Sequence, residues 1–382
     1  MAKIAFIVAE DWFFASHFLP MAREAVALGF EVVVMTRVCR HATAIEATGA
    51  RVIAIDLNRR SLNPLAALAV IRRLIHILKT ERPSLVHCIS LKPILLGGMA
   101  AAASGINKRI FAITGWGYLG VRQNIISKTV RAVVRLLIMR LIRSSETTFL
   151  FENDDDPRFL GLHAHDDAVE IVGGAGIDPD DYPIQPLLEG KPLRIAVVAR
   201  MLWSKGVDTA VEAVQRARAN GVDVELSLFG NPDLANPKAI TEAKLREWST
   251  EPGITWRGAT SDILSVWREH HVACLPSRGG EGLPRTLLES AACGRLSLTT
   301  NVPGCRGFVR HGIDGYVLPV ADSVAFATAI AELAARPEQI GLMGLNAAER
   351  VREGYTTAKV ASAVGRRYLT MIQPTWRSNP GK

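Results

Sequence analysis

The sequence predicts an α/β protein of two parallel-sheet halves, and three observations carry that expectation. At 382 residues the chain exceeds one ordinary core, and two domains of roughly 180 residues each are the natural division. Nearly half of the residues are apolar (48%), enough to fill two cores. Short Val/Ile/Leu runs alternate with Ala-rich segments of helical period, and the alternation occurs twice.

In the first half, "KIAFIVAE" reads as a strand, "LPMAREAVALG" as a helix closed by Gly29, and "EVVVMTRV" and "RVIAIDL" as strands. Asn63-Pro64 marks the start of the helix "PLAALAVIRRLIHILKTER". The strand "PSLVHCIS", a helix through "LLGGMAAAASG" and the strand "KRIFAITG" follow. "NIISKTVRAVVRLLIMRLIRSS" reads as a basic amphipathic helix. Val130, Val133, Val134, Leu137 and Leu141 recur at i, i+3, i+4, i+7 and i+11 as an apolar face, with Lys128, Arg131, Arg135, Arg140 and Arg143 over the other side. The second half repeats the theme with "LRIAVVAR", the helix "GVDTAVEAVQRARANG", "VELSLFG", a helix around 238–249, "ITWRG", "HVACLPS", the helix "PRTLLESAACG", "LSLTTN" and "GYVLP". The divide falls in the polar, proline-rich "DPDDYPIQPLLEGKPL". Domains of 1–185 and 186–357 result, with a last helix near 358–374 expected to pack back on the first.

Net charge is +8 and unevenly spread. Residues 1–150 hold 20 Lys/Arg against 8 Asp/Glu; the remainder holds 25 against 29. The first half is the polycation, so it is the half with an anionic partner, and a basic amphipathic helix suits an anionic membrane surface. The same helix can also pack on its own sheet and leave its arginines solvated. Aromatics are sparse and not interleaved with basic residues, which argues against nucleic acid. Five scattered cysteines without a CxxC spacing argue against a disulfide framework and a zinc site. No run reaches the ~18 apolar residues of a spanning helix. A cytoplasmic protein held peripherally on the inner face of the plasma membrane is expected.

Two glycine-rich stretches differ in weight. "TGWGYLG" sets Gly115-x-Gly117-x-x-Gly120 after a strand, the dinucleotide pattern, but the acidic residue expected ~20 positions on is missing. Trp116 and Tyr118 would crowd a pyrophosphate, so Thr114 and Gly115, together with Lys92, are assigned to a cleft lining. "VVARMLWSKG" ends a strand with Arg200 and places Lys205 in the following loop, a fork of donors and a point charge suited to a diphosphate. In "SRGGEGLPRTLLES", Pro284 suits a first helical turn, so a helix N-terminus beside Gly279, Gly280 and Gly282 offers an anion site. A carboxylate there would repel phosphate. Glu281 and Glu289 are therefore assigned to sugar hydroxyls, the ring and the ribose. Taken alone, they would be a charge favoured near a helix start and an exposed helix residue.

These stretches, with "TTNVPGCRGFVRHGIDGYVLP", "SHFLP" and "ITGWGYLG", resemble a family 4 glycosyltransferase over nearly the whole chain. The similarity is to bacterial capsule, exopolysaccharide and glycan-assembly enzymes that extend polyprenyl-diphosphate-linked sugars. It implies a GT-B fold, a nucleotide-sugar donor (UDP ahead of GDP) on the C-terminal domain, a lipid-linked saccharide acceptor on the N-terminal one, retention of configuration, and neither metal nor cofactor. By the resemblance Arg200 and Lys205 bind the diphosphate, Glu281 the donor sugar, Glu289 the ribose, and Gly282 and Leu283 give backbone amides. His17, in the loop after the first strand, would face the reacting sugar or acceptor. Many relatives have an aspartate and a glutamate where Asn301 and Gly307 stand. A sugar-nucleotide epimerase of the same fold and a non-catalytic sugar-nucleotide binder remain as other readings.

Overall fold

The computed structural model describes residues 1–57, 63–121, 125–233 and 236–372. They form two compact units, Met1–Ala175 with the C-terminal helix, and Gly176–Thr356. The chain passes to the second unit ahead of position 185. The Ile177 N–H bonds the Tyr355 carbonyl (2.9 Å), and Tyr182 packs beside the cluster of Leu287 and Leu288.

The first unit is a seven-stranded parallel sheet in the order β3-β2-β1-β4-β5-β6-β7. Its strands are β1 Lys3–Glu10, β2 Glu31–Arg37, β3 Arg51–Ala54, β4 Leu85–Ile89, β5 Arg109–Ile113, β6 Thr147–Phe151 and β7 Val169–Ile171. Strands covered on both faces read as continuous apolar runs, and alternate residues of β1 serve two cores. Ala5, Ile7 and Ala9 join Val33, Cys88 and Phe111 on one side, while Ile4, Phe6 and Val8 join Val32, Leu85 and Ile110 on the other. The helix Pro64–Glu81 starts where Asn63 accepts from the Leu65 N–H (2.9 Å). The C-terminal helix Thr357–Ile372 completes the second core, with Tyr368 fully buried and 2.8 Å from His87 Nδ1. Burial pushes the His87 imidazole down to about 3, so this pair is neutral.

The basic segment departs from expectation. It is α-helical over Ile125–Leu136 and widens to a π-helical turn over Leu137–Ile142. Its buried side is Ser127, Val134, Ile138 and Ile142. Of the expected apolar face only Val134 is buried, while Val130, Val133 and Leu141 are exposed. The segment carries two aliphatic stripes, and the sheet takes the one whose Ile142 seats against Gly98, where a Cβ would lie 2.2 Å from Ile142 Cγ2. Lys128, Arg135, Arg140 and Arg143 are exposed. Arg131 turns inward instead, donating to the Leu119 carbonyl (3.1 Å) over the Phe159 ring.

The second unit repeats the layout in six strands, β10-β9-β8-β11-β12-β13. They are β8 Leu193–Val198, β9 Val224–Phe229, β10 Ile254–Gly258, β11 Val272–Leu275, β12 Leu296–Thr300 and β13 Gly315–Leu318. In both sheets the first strand of the unit is central and the connections reverse direction beside it, at β1/β4 and β8/β11. Ligand crevices form at such points, outside the carboxyl ends of the strands. Among the described residues no helix is long and apolar enough to cross a membrane. All five cysteines are free thiols.

Candidate active site

The loops that leave β8 and β11 meet at the reversal point of the second sheet. After β8 the chain makes a 3₁₀ turn at Trp203–Lys205 and enters the helix Val207–Ala219. After β11 it runs from Pro276 through the glycines to the helix Arg285–Ala292. Pro284 is the residue before that helix rather than in its first turn (φ −64°, ψ 121°). The two loops are fastened to each other. Gly206 passes so close to the Pro276 carbonyl that a Cβ there would lie 1.9 Å from its oxygen. Arg278 donates to the Trp203 carbonyl (2.9 Å) and to Asp208 (2.5 Å), and its N–H to the Ser204 carbonyl (2.8 Å). Arg278 is thus a clamp between loops. From below, Thr299 Oγ1 holds the Leu275 carbonyl (2.8 Å) and Thr300 Oγ1 that of Ser277.

On this platform the expected residues take up specific partners. Lys205 Nζ is ion-paired with Glu281 Oε2, and both are largely shielded from solvent. Ser277 Oγ donates to the other Glu281 oxygen (3.3 Å) and accepts the Gly279 N–H (3.2 Å). Gly279 and Gly280 lie at φ 106° and 89°, the region glycine adopts freely. Gly282 and Leu283 lead on to Pro284, and Leu283 packs on the Leu287 cluster. The Gly282 carbonyl rests on Gly304, where a Cβ would come within 2.2 Å of it. Arg200 has a different partner: its side chain is 56% exposed and pairs with Asp233 Oδ2 (3.0 Å). A pocket of about 330 Å³ lies beside Arg200, lined by Phe229, Gly230, Asn231, Asp233 and Thr260. A larger cavity of about 610 Å³ sits around Leu193, Gly221 and His271, at the opposite end of the strands.

Glu289 is 8% exposed, where an isolated reading would have left it on the helix surface. Burial pushes its carboxyl above the usual range, and the Arg285 guanidinium opposes that shift. Arg285 Nε (2.9 Å) and the Tyr182 hydroxyl (3.4 Å) both donate to Glu289 Oε1. Asn301 and Gly307 are also engaged. Arg306 reaches the Asn301 side chain (3.2 Å), and Arg350 the Gly307 carbonyl (3.0 Å).

In the first unit, Thr114 and Gly115 follow β5, and Lys92 is the second residue of the helix Leu91–Ala103 that follows β4. The Thr114 hydroxyl pairs with that of Ser90 (3.1 Å). Burial lowers the Lys92 ammonium below its ordinary value. Trp116 fills the glycine-rich turn itself, stacked on Phe159 with ring centroids 4.9 Å apart. His17 is not in a loop. It ends the helix Asp11–His17 that leaves β1 directly, stacked on Phe13 and 2.6 Å from Ser16 Oγ. Just below it, buried Asp11 accepts three backbone N–H groups from Cys39, Arg40 and His41. Burial alone would raise its carboxyl, but these donors hold it below the usual range.

A model of the group 1 glycosyl transferases matches residues 192–336, and one of the 4-like glycosyl transferases matches residues 3–143. The chain belongs to the family 4 glycosyltransferases. Similar family members include the Campylobacter jejuni N,N'-diacetylbacillosaminyl-diphospho-undecaprenol alpha-1,3-N-acetylgalactosaminyltransferase, 26% identical over 70% of this chain and 72% of that one. The Escherichia coli UDP-Gal:alpha-D-GlcNAc-diphosphoundecaprenol alpha-1,3-galactosyltransferase is 22% identical over 78% of each. Among solved structures, a glycosyltransferase of Rickettsia africae aligns with a TM-score of 0.77 at 15% identity, covering 98% of this chain and 99% of that one. Anabaena HepE, in complex with UDP and glucose, aligns at 0.75 and 14%, covering 96% and 99%. The family 4 glycosyltransferase fold is thus GT-B.

Sequence reasoning missed several members of the site. Tyr182 was visible only as an aromatic in a polar linker, and Asp208 and Asp233 carried no local signal because their partners lie far along the chain.

Proposed function

We propose that the enzyme transfers a sugar, with retention of configuration, from a UDP-sugar on the second unit to a polyprenyl-diphosphate-linked saccharide bound by the first. The observation that carries this reading is the Lys205–Glu281 pair on fastened loops at the reversal point of the second sheet. There a cation for the diphosphate and a carboxylate for sugar hydroxyls are held side by side. The undecaprenol-linked substrates in the names of the Campylobacter and Escherichia relatives support the acceptor class. In this reading the nucleoside enters the pocket beside Arg200, the diphosphate takes over Arg200 from Asp233, and Glu289 accepts the ribose hydroxyls. Arg200, Lys205 and the N-terminus of the helix Arg285–Ala292 stabilise the negative charge that develops on the leaving group. The acceptor hydroxyl attacks from the same face through an oxocarbenium-like state and gives its proton to the leaving phosphate. These side-chain cations stand in for a metal, and no cofactor is invoked. His17, Lys92, Thr114 and Gly115 form the acceptor side.

The first unit also docks on the inner face of an anionic membrane, in the same proposal. Its outward helix face carries Ile125 (81% exposed), Val133 and Leu136 (58%), flanked by Lys128 and Arg135. No acidic residue occurs between Glu81 and Glu146. An aliphatic ridge with a basic flank suits the lipid headgroup boundary.

Thermal unfolding with UDP, GDP, UDP- and GDP-sugars and NAD tests the donor assignment. A ligand at 100 times its Kd adds ~2.7 kcal/mol. Stabilisation by UDP and a UDP-sugar, abolished in Arg200→Ala, is expected. Stabilisation by NAD alone would sink the reading, and a UDP-sugar converted to its epimer without an acceptor would replace transfer with epimerisation.

A further inference from the structure

Ser90 holds a backbone conformation that serine disfavours. It lies at φ 72° and ψ 162°, where a Cβ is strained and glycine is at home. Arg82, also at positive φ, is an ordinary left-handed helix end (φ 48°, ψ 52°). Ser90 instead forms the single-residue turn between β4 and the helix Leu91–Ala103, beside β1 at the reversal point of the first sheet.

Three bonds hold it there. Its N–H donates to the Ala112 carbonyl of β5 (2.9 Å), its carbonyl accepts the Ile94 N–H in the first helical turn (3.0 Å), and its hydroxyl meets that of Thr114 (3.1 Å). The strained torsion therefore fixes the angle at which the helix leaves the sheet, and Lys92 is on that first turn. Glycine would adopt these angles without a penalty. What serine adds is a stiffer turn and a hydroxyl that ties the end of β4 to the loop after β5.

We propose that Ser90 is a positioning residue of the acceptor subsite: its backbone aims the helical turn that carries Lys92, and its hydroxyl locks Thr114 in register with it. The proposal rests on the reading that the first unit binds the diphosphate-linked acceptor. Ser90 itself moves no proton and makes no bond in the reaction.

The test uses the full chain, with farnesyl diphosphate as a short acceptor probe and UDP as the donor-side control. Ser90→Gly removes both strain and hydroxyl; Ser90→Ala keeps the strain and removes only the hydroxyl. Ser90→Gly should unfold at or above the wild-type temperature and yet bind farnesyl diphosphate about tenfold more weakly, with the Kd for UDP unchanged. Ser90→Ala should unfold lower and lose less binding, because the aim of the turn survives. A stable variant that loses affinity for one ligand only is what a merely structural serine would not produce. Ser90→Gly binding farnesyl diphosphate as tightly as wild type overturns the proposal alone, and so does equal weakening of both ligands. Wild type that binds UDP but not farnesyl diphosphate overturns the acceptor reading and the role of Ser90 with it.

Discussion

Around β8 and β11 the cations come with counter-charges: Lys205 meets Glu281, Arg278 meets Asp208, Arg285 meets Glu289 and Arg200 meets Asp233. At the matching corner of the first sheet, where β1 and β4 end, stand the paired hydroxyls of Ser90 and Thr114, the Asp11 carboxylate on its three backbone N–H groups and the partly buried Lys92. Yet the strand order around the two corners is the same. The difference teaches that the topology supplies a crevice and nothing more, and that the charge plan is laid on top of it. A corner that gathers four cations at loop ends must keep them neutralised, or their mutual repulsion and the cost of partial burial would open the loops. The first unit instead leaves Lys128, Arg135, Arg140 and Arg143 exposed along an outer helix and the residue after it, where water screens them.

Three experiments break or sharpen this contrast, from the largest effect to the smallest. Lys205→Ala should lower kcat for sugar transfer by about 10²–10³, the usual loss of one donor aimed at developing charge. Lys92→Ala, at the other corner, should act chiefly on the KM for the acceptor. Equal losses in kcat for both would erase the distinction between the corners.

The second experiment concerns a buried acid of the first unit. Asp156, after β6, is 3% exposed, with Asn153 donating to it (2.9 Å). Burial pushes its carboxyl up from the usual 3.8 to about 7. Between those values the native chain keeps a proton that the unfolded chain has lost, so stability is fully present below about pH 4 and declines as pH rises towards 7. Denaturant unfolding of Asp156→Asn should lack that decline, up to ~1.4 kcal/mol per pH unit relative to wild type. Parallel pH profiles for the two proteins would show that the carboxyl ionises normally.

The smallest effect is on membrane association. Leu136→Asp should weaken sedimentation with vesicles containing anionic lipid by at least about tenfold, since roughly 1.5–3 kcal/mol of apolar burial is forfeited. High salt should weaken the wild type's binding without abolishing it, because only the arginine contribution is screened. Complete release by salt, with Leu136→Asp unchanged, would leave the charges as the whole attachment.

Much of this was legible in the sequence, for physical reasons. Buried parallel strands announce themselves as unbroken apolar runs, which made β1, β2, β8 and β11 plain. β6 and β7 were missed: "TTFLF" follows the basic helix after a short polar break, and a three-residue strand has no period to detect. The spacing from Glu281 to Glu289 and the Arg200–Lys205 loop stood out because glycines and a proline mark a helix start. The carboxylate partners of Arg200 and Arg278 did not, since Asp233 and Asp208 come beside them only once β8, β9 and β11 lie side by side. Two aliphatic stripes on one helix defeated periodicity, because spacing finds faces without saying which one the sheet takes. Ser90 was silent for a different reason: its peculiarity is a torsion angle, and no composition encodes it.

The return of the helix Thr357–Ile372 to the first unit has a consequence for how the protein is born. The first sheet leaves the ribosome ahead of the second unit, but the tyrosine that caps His87 and Phe6 is made only after that unit. The older half of the nascent chain must wait, with one side of its sheet uncovered, while the entire second unit is synthesised. A message broken after codon 356 would encode both sheets in full, and the one it finished first would be the one left open to aggregation.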